Sequence, residues 1–205
     1  MRELVDVIDA LASHSYELAS ACLTMSPNVL EQLDRPDRAP FLEFGSVVAN
    51  TAWVDARVYF ERGPTLVRQV HPQQRARYLA LASRVALNVG RLGHPYFMEA
   101  AQALAEVDRD AHRELLELAE GIVPQSGIAA MEFIKASPNV LRRLRPEDLP
   151  RWQEKGREIL VRLHESTDSD RYLEDIAAAQ LMLGLIKLDL GSDKLDSAGD
   201  LLQGA

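Results

Sequence analysis

The chain has 205 residues and is 47% hydrophobic, enough to bury a core in one domain or one short repeat array, which excludes a disordered chain. Its formal net charge of -8 works against general attraction to nucleic-acid phosphates unless the charge is segregated. The single cysteine, Cys22, excludes an intrachain disulfide framework and a cysteine-rich zinc site. Acidic residues in Met1-Arg2-Glu3-Leu4-Val5-Asp6, and the absence of any apolar run of about 18 residues, oppose a signal peptide or a membrane span, so a soluble cytoplasmic protein of bacterial type is expected.

In chain order, Leu4, Ile8 and Ala12 set a helical spacing that returns 37 residues later as Phe41, Gly45 and Ala49, while Tyr16 returns as Trp53. Next comes Ser26-Pro27-Asn28-Val29-Leu30, which recurs as Ser137-Pro138-Asn139-Val140-Leu141, a separation of 111 residues or three times 37. The same period fills the gap between them. One column reads Pro27, Pro64, Ala101, Pro138; another reads Phe41, Tyr78, Leu115, Trp152; and four residues further a small column reads Gly45, Ala82, Ala119, Gly156. Ala19, Ala56, Gly93, Ala130 and Cys22, Tyr59, Tyr96, Phe133 keep the same register, as do Leu30, Val67, Leu104, Leu141 and Leu33, Val70, Val107, Leu144.

A fixed period of this length is the signature of stacked helical repeats. The chain is therefore expected to be an all-α single domain over 1–190. It comprises a half repeat (1–15), four repeats (16–52, 53–89, 90–126 and 127–163), a capping helix (167–190) and a polar tail (191–205). Within a repeat, proline predicts a break. A first helix such as 51–62 stops at the Ser-Pro or Gly-Pro step, a short second helix such as 27–33 follows, and a charged turn then starts a third helix that carries the aromatic and small columns. Side chains four apart share a helix face, so each third helix offers a ridge and a hollow to its neighbour. Three helices per unit give an armadillo- or HEAT-like α-solenoid in general plan.

The strings Tyr59-Phe60 with Gly63-Pro64, Ser137-Pro138-Asn139-Val140-Leu141-Arg142-Arg143-Leu144, Leu149-Pro150-Arg151-Trp152 and Gly156 carry a family likeness. Over about residues 16–163 the chain resembles the helical-repeat region of large bacterial von Willebrand A-domain proteins of the nitric-oxide-reductase-activation type. The resemblance implies work beside a metal-binding A domain and a partner AAA+ ATPase. The chain lacks the A domain's Asp-x-Ser-x-Ser motif; its nearest string, Asp168-Ser169-Asp170, reads as a helix cap.

The remaining candidates for chemistry are weighed against the repeat. His14, His71, His94, His112 and His164 share no column, so repetition builds no ladder of histidine ligands. Asp108, Asp110 and His112, with Glu114, could offer metal ligands or an enzyme site, but capping at the start of a third helix accounts for them. Cys22 shares a column with Tyr59, Tyr96 and Phe133 and is expected to pack, as are Trp53 and Trp152. No phosphate loop, nucleophile elbow or dinucleotide fingerprint occurs, and no cofactor is expected.

Charge differs most between units. From Arg57 to Arg91 the chain carries seven basic residues and one acidic; from Glu99 to Glu120 it carries two and seven. Arg77, Arg84 and Arg91 are seven apart, one stripe of a helix turned away from Tyr78, Ala82 and Val85. With Arg68 and Arg75 they form the candidate surface for an acidic partner segment, since guanidinium forks suit carboxylates. The function expected is a noncatalytic scaffold or adaptor for a protein partner. Nucleic-acid binding through the Arg-rich second repeat is the alternative, and an enzyme or metal site near Asp108, Asp110 and His112 is the lesser one.

Overall fold

The computed structural model describes residues 2–124 and 127–141. They form α1 (Arg2–Ala12), α2 (Tyr16–Glu31), α3 (Arg35–Thr51), α4 (Ala56–Gln69), α5 (Arg75–Val89), α6 (Gly93–Ala105), α7 (His112–Ile122) and α8 (Gly127–Leu141). Tight 3-10 turns at Trp53–Asp55, Pro72–Gln74, Gly90–Leu92 and Arg109–Ala111 lead into α4, α5, α6 and α7. The all-α expectation holds: no strand occurs among the described residues. Trp152, Gly156, the later part of the fourth repeat, the capping helix 167–190 and the tail 191–205 lie outside them.

The helices pack in two rows. In one, α1, α3, α5 and α7 follow one another; in the other, α2, α4, α6 and α8 do. Each odd helix also packs on the even helix that follows it, and α5 touches α8 as well. Buried columns lie at these contacts. Phe41, Tyr78 and Leu115 from the odd row are buried, as are Cys22, Tyr59 and Phe133 from the even row. Phe41 stacks on Tyr59 with centroids 4.5 Å apart, and Phe44 meets Phe97 at 4.9 Å. Two tyrosine hydroxyls cross between the rows. Tyr59 donates to the carbonyl of Phe41 at 2.7 Å and Tyr78 to that of Phe97, which gives each buried O–H the partner it requires.

The structure corrects the helix count of the repeat: each described 37-residue unit has two α-helices, not three. Pro27, Pro64 and Pro138 sit inside α2, α4 and α8 and do not end them. The stretch from Pro27 to the end of α2 is about one turn, too short to hold as a separate helix. It is kept in line by tertiary burial of Val29 and, just beyond the helix, Leu33. The serine before proline helps in two copies. Ser26 Oγ donates to the carbonyl of Cys22 at 2.6 Å and Ser137 Oγ to that of Phe133 at 2.7 Å, so each buried hydroxyl is satisfied within its own helix. In α4 this place is Gly63, where a Cβ would lie 2.7 Å from Phe41 Cε2, so the missing side chain lets α4 settle on the Phe41 ring.

Trp53 is also corrected. It is 37% exposed in the turn before α4, stacked on His14 with centroids 5.7 Å apart, and is not part of the core. The position opens a helical segment, and Tyr16 in the same column, which opens α2, is 81% exposed. No helix among the described residues is long and apolar enough to cross a membrane.

Candidate functional site

The five arginines expected to form one surface are divided by the structure. Arg75 begins α5 and turns inward, with its side chain 8% exposed. Its Nε donates to the carbonyl of Val70 at 3.2 Å, and its Nη1 reaches Asp34 Oδ2 at 2.6 Å and Asp37 Oδ2 at 2.9 Å. Burial opposes the guanidinium charge, and the bonds to Asp37 and Asp34 outweigh it. Arg75 is therefore not on the exposed stripe: it ties α5 to the start of α3.

Arg77 and Arg84 do share an outward face of α5, but α7 meets it. Arg77 Nη1 lies 2.9 Å from Glu117 Oε1 and Nη2 lies 2.8 Å from Glu120 Oε2; Arg84 Nη2 lies 3.0 Å from Glu120 Oε1. Part of the basic charge of the second repeat thus faces part of the acidic charge of the third: Arg77 and Arg84 on α5 meet Glu117 and Glu120 on α7. Arg68, in the last turn of α4, and Arg91, in the turn before α6, are exposed and make no ion pair with the described residues. They belong to different elements from Arg77 and Arg84.

His112 is wholly buried and fully bonded. Its Nδ1 accepts the backbone N–H of His71 at 3.1 Å, so Nε2 carries the proton and donates to the carbonyl of Leu104 at 2.8 Å, with that of Val107 at 3.4 Å. Burial lowers its pKa, the carbonyls of Leu104 and Val107 pull the other way, and the charges of His71 and Arg109 lower it further. Asp108 is exposed in the turn before α7, its carbonyl accepting from Ala111 N at 3.0 Å. The Asp110 side chain lies outside the description. Among the described residues no three His, Cys, Asp or Glu side chains gather at metal-binding distance.

A column overlooked in the sequence explains His112. Arg38, Arg75 and His112 are 37 apart, and each reaches back to the carbonyl end of the preceding even helix: Arg38 Nε to Leu33 O at 3.3 Å, Arg75 Nε to Val70 O, and His112 Nε2 to Leu104 O and Val107 O. Cations and N–H donors suit that negative helix end. The 37-residue register carries this signal, in a column that mixes arginine with histidine.

His94, in α6, is the other buried histidine, 5% exposed. Its Nδ1 lies 3.9 Å from Asp55 Oδ2, and its Nε2 finds no hydrogen-bond partner among the described residues. Burial lowers its pKa and Asp55 works against that. Cys22 is buried, and burial pushes its thiol up to about 11, against the pull of Arg57 and with a further push from Glu61.

The exposed surface of α2 and α4 carries large apolar side chains instead. Tyr16 and Leu23 lie seven apart on α2, while Val54 and Val58 lie four apart at the start of α4 beside Trp53. Comparison of the chain with protein-family models, with curated proteins and with solved structures finds no match.

Proposed function

We propose that the chain is an α-solenoid that acts as a noncatalytic scaffold, holding a protein partner on its exposed helical faces. The observation that carries this is the concentration of exposed apolar side chains on two consecutive helices of one row: Tyr16 and Leu23 on α2, with Trp53, Val54 and Val58 at the entry to α4. Isolated exposed apolar residues are ordinary, but grouped ones mark surfaces that another molecule covers. Aromatic side chains there supply large contact area at low entropic cost. The two-row packing supports a solenoid, in which successive helix pairs present a continuous surface. A two-helix unit favours the HEAT-like form over the armadillo-like one.

The arginine stripe supports partner binding less well, because Glu117 and Glu120 already occupy Arg77 and Arg84. The same pairing weakens the case for nucleic acid. A partner AAA+ ATPase or A-domain protein rests on the sequence resemblance alone.

The test is affinity capture on the immobilised chain, comparing wild type with the triple variant Tyr16→Ser, Trp53→Ser, Val54→Ser and with Arg84→Gln. Loss of one specific protein in the triple variant, with retention in Arg84→Gln, is the expected result. A partner unaffected by the triple variant removes the apolar surface from consideration. A salt-sensitive gel shift with nucleic acid would replace the scaffold altogether.

A further inference from the structure

Every described odd helix after α1 carries in its first turn a polar side chain that reaches back to the carbonyl end of the preceding even helix, and in two cases that side chain also reaches the turn before the preceding odd helix. Arg75 does so with a permanent charge, bonding Asp34 forty-one residues earlier. His112 makes the equivalent contact, again forty-one residues back, to the backbone N–H of His71. One joint is an ion pair between charged side chains. The next depends on an imidazole lone pair.

We propose that His112 is a pH-sensitive joint between the turn entering α5 and the start of α7: neutral, it accepts from His71 N and binds the two segments; protonated at Nδ1, it releases them. Geometry carries the inference. The Nε2 proton is committed to the carbonyl of Leu104, so the only site for a second proton is Nδ1, which would then point an N–H at another N–H 3.1 Å away. The contact cannot survive that proton without movement of the ring or of the turn.

The surroundings give the cation little support. From the turn entering α5 the facing titratable group is His71, and from the turn entering α7 it is Arg109; both oppose positive charge. His71's own Nδ1 accepts from Gln73 N at 3.3 Å. Arg75, the next charge along α5, is held by Asp34 and Asp37. On the segments flanking His112, Glu106, Asp108 and Arg113 are exposed and Glu114 is half-buried. Acidification therefore adds charge at His112 beside two groups, His71 and Arg109, that oppose it. The neighbouring joint, at Arg75, has no such response because arginine stays charged throughout.

The test is amide hydrogen exchange on the full chain across about pH 7.5 to 5, corrected for intrinsic exchange rates and read at His71 and at reference amides in α2 and α3. The expected result is a loss of His71 protection about tenfold or more greater than any loss at the reference amides. His112→Gln, whose amide can accept from His71 N and donate to Leu104 O without titrating, is expected to flatten the response. The variant His71→Asp, Gln74→Asp, His112→Arg copies the Asp34, Asp37 and Arg75 arrangement and is expected to do the same. Unchanged His71 protection in the wild type overturns the proposal. So does a loss shared equally by α2 and α3, which would be global unfolding, or an undiminished response in either variant that folds.

Discussion

Arg75 Nη1 lies 2.9 Å from Asp37 Oδ2, and both side chains are almost wholly buried, at 8% and 6% exposure. Such a pair makes little net contribution when compared with apolar residues of the same size, yet either half alone is an uncompensated buried charge. Arg75→Met is expected to cost about 3–5 kcal/mol, and Arg75→Met with Asp37→Leu to recover most of it. Urea denaturation of the three proteins measures this. Equal losses in the single and double variants would show that the site needs charge for reasons other than pairing.

Glu120 accepts from both Arg77 and Arg84 on a face that water reaches. Exposed ion pairs contribute little, so Glu120→Gln is expected to cost about 1 kcal/mol or less, and the loss should shrink in about 1 M salt. Thermal melts at two salt concentrations check both parts.

Gly93 opens α6 against the backbone of α5: a Cβ there would press on Ala86 Cα, not on a side chain able to turn aside. Gly93→Ala is expected to destabilise by about 1–3 kcal/mol even though alanine favours helix. Ala82→Gly, in the buried small column, is expected to lose about 1 kcal/mol for the ordinary reason of helix propensity. A stability gain in Gly93→Ala would mean that the two helices are free to part.

His94 and His112 both have pKa values lowered by burial. In the unfolded chain each titrates near 6.5, so between that value and the lower folded values the unfolded state binds more protons. Stability is then complete above about pH 6.5 and falls as the medium is acidified below it. Denaturation midpoints measured from pH 8 to 5 should decline on the acid side. A flat profile would show that neither histidine is buried as described.

Cys22, with its thiol pushed up to about 11 and its side chain buried, is expected to react with iodoacetamide about a hundredfold more slowly in the folded protein than in urea at pH 8. Mass spectrometry of timed samples measures the ratio.

Much of the fold was legible in the sequence because a packed face repeats what it packs against. Phe41, Tyr78 and Leu115 fell in one column and all are buried. What misled was local chemistry. Proline at positions 27 and 64 argued for a helix end, but a propensity of about 3 kcal/mol is overridden when the turn beyond it carries buried Leu33 or Val67. Trp53 was expected to pack because it shares a column with Tyr16, but that column falls at helix starts that face water: Tyr16 is exposed as well. Arg91 lies in the turn before α6 and Arg75 is buried, whereas Arg77 and Arg84 share one face of α5. Its occupant, Glu117 and Glu120 on α7, was present in the sequence at separations of 40 and 43 residues, close to one period, but a count of charge by unit treats neighbouring units as separate surfaces.

The contacts that join neighbouring units, Asp34 with Arg75, His71 with His112 and Arg77 with Glu117, each span 40 or 41 residues. Nothing in that set requires the two ends of the chain to find one another. As the chain leaves the ribosome, each helix therefore meets its partners within about one further period of synthesis, and a growing chain can bury its apolar columns in succession. A break in the array would accordingly be felt first by the units beside it.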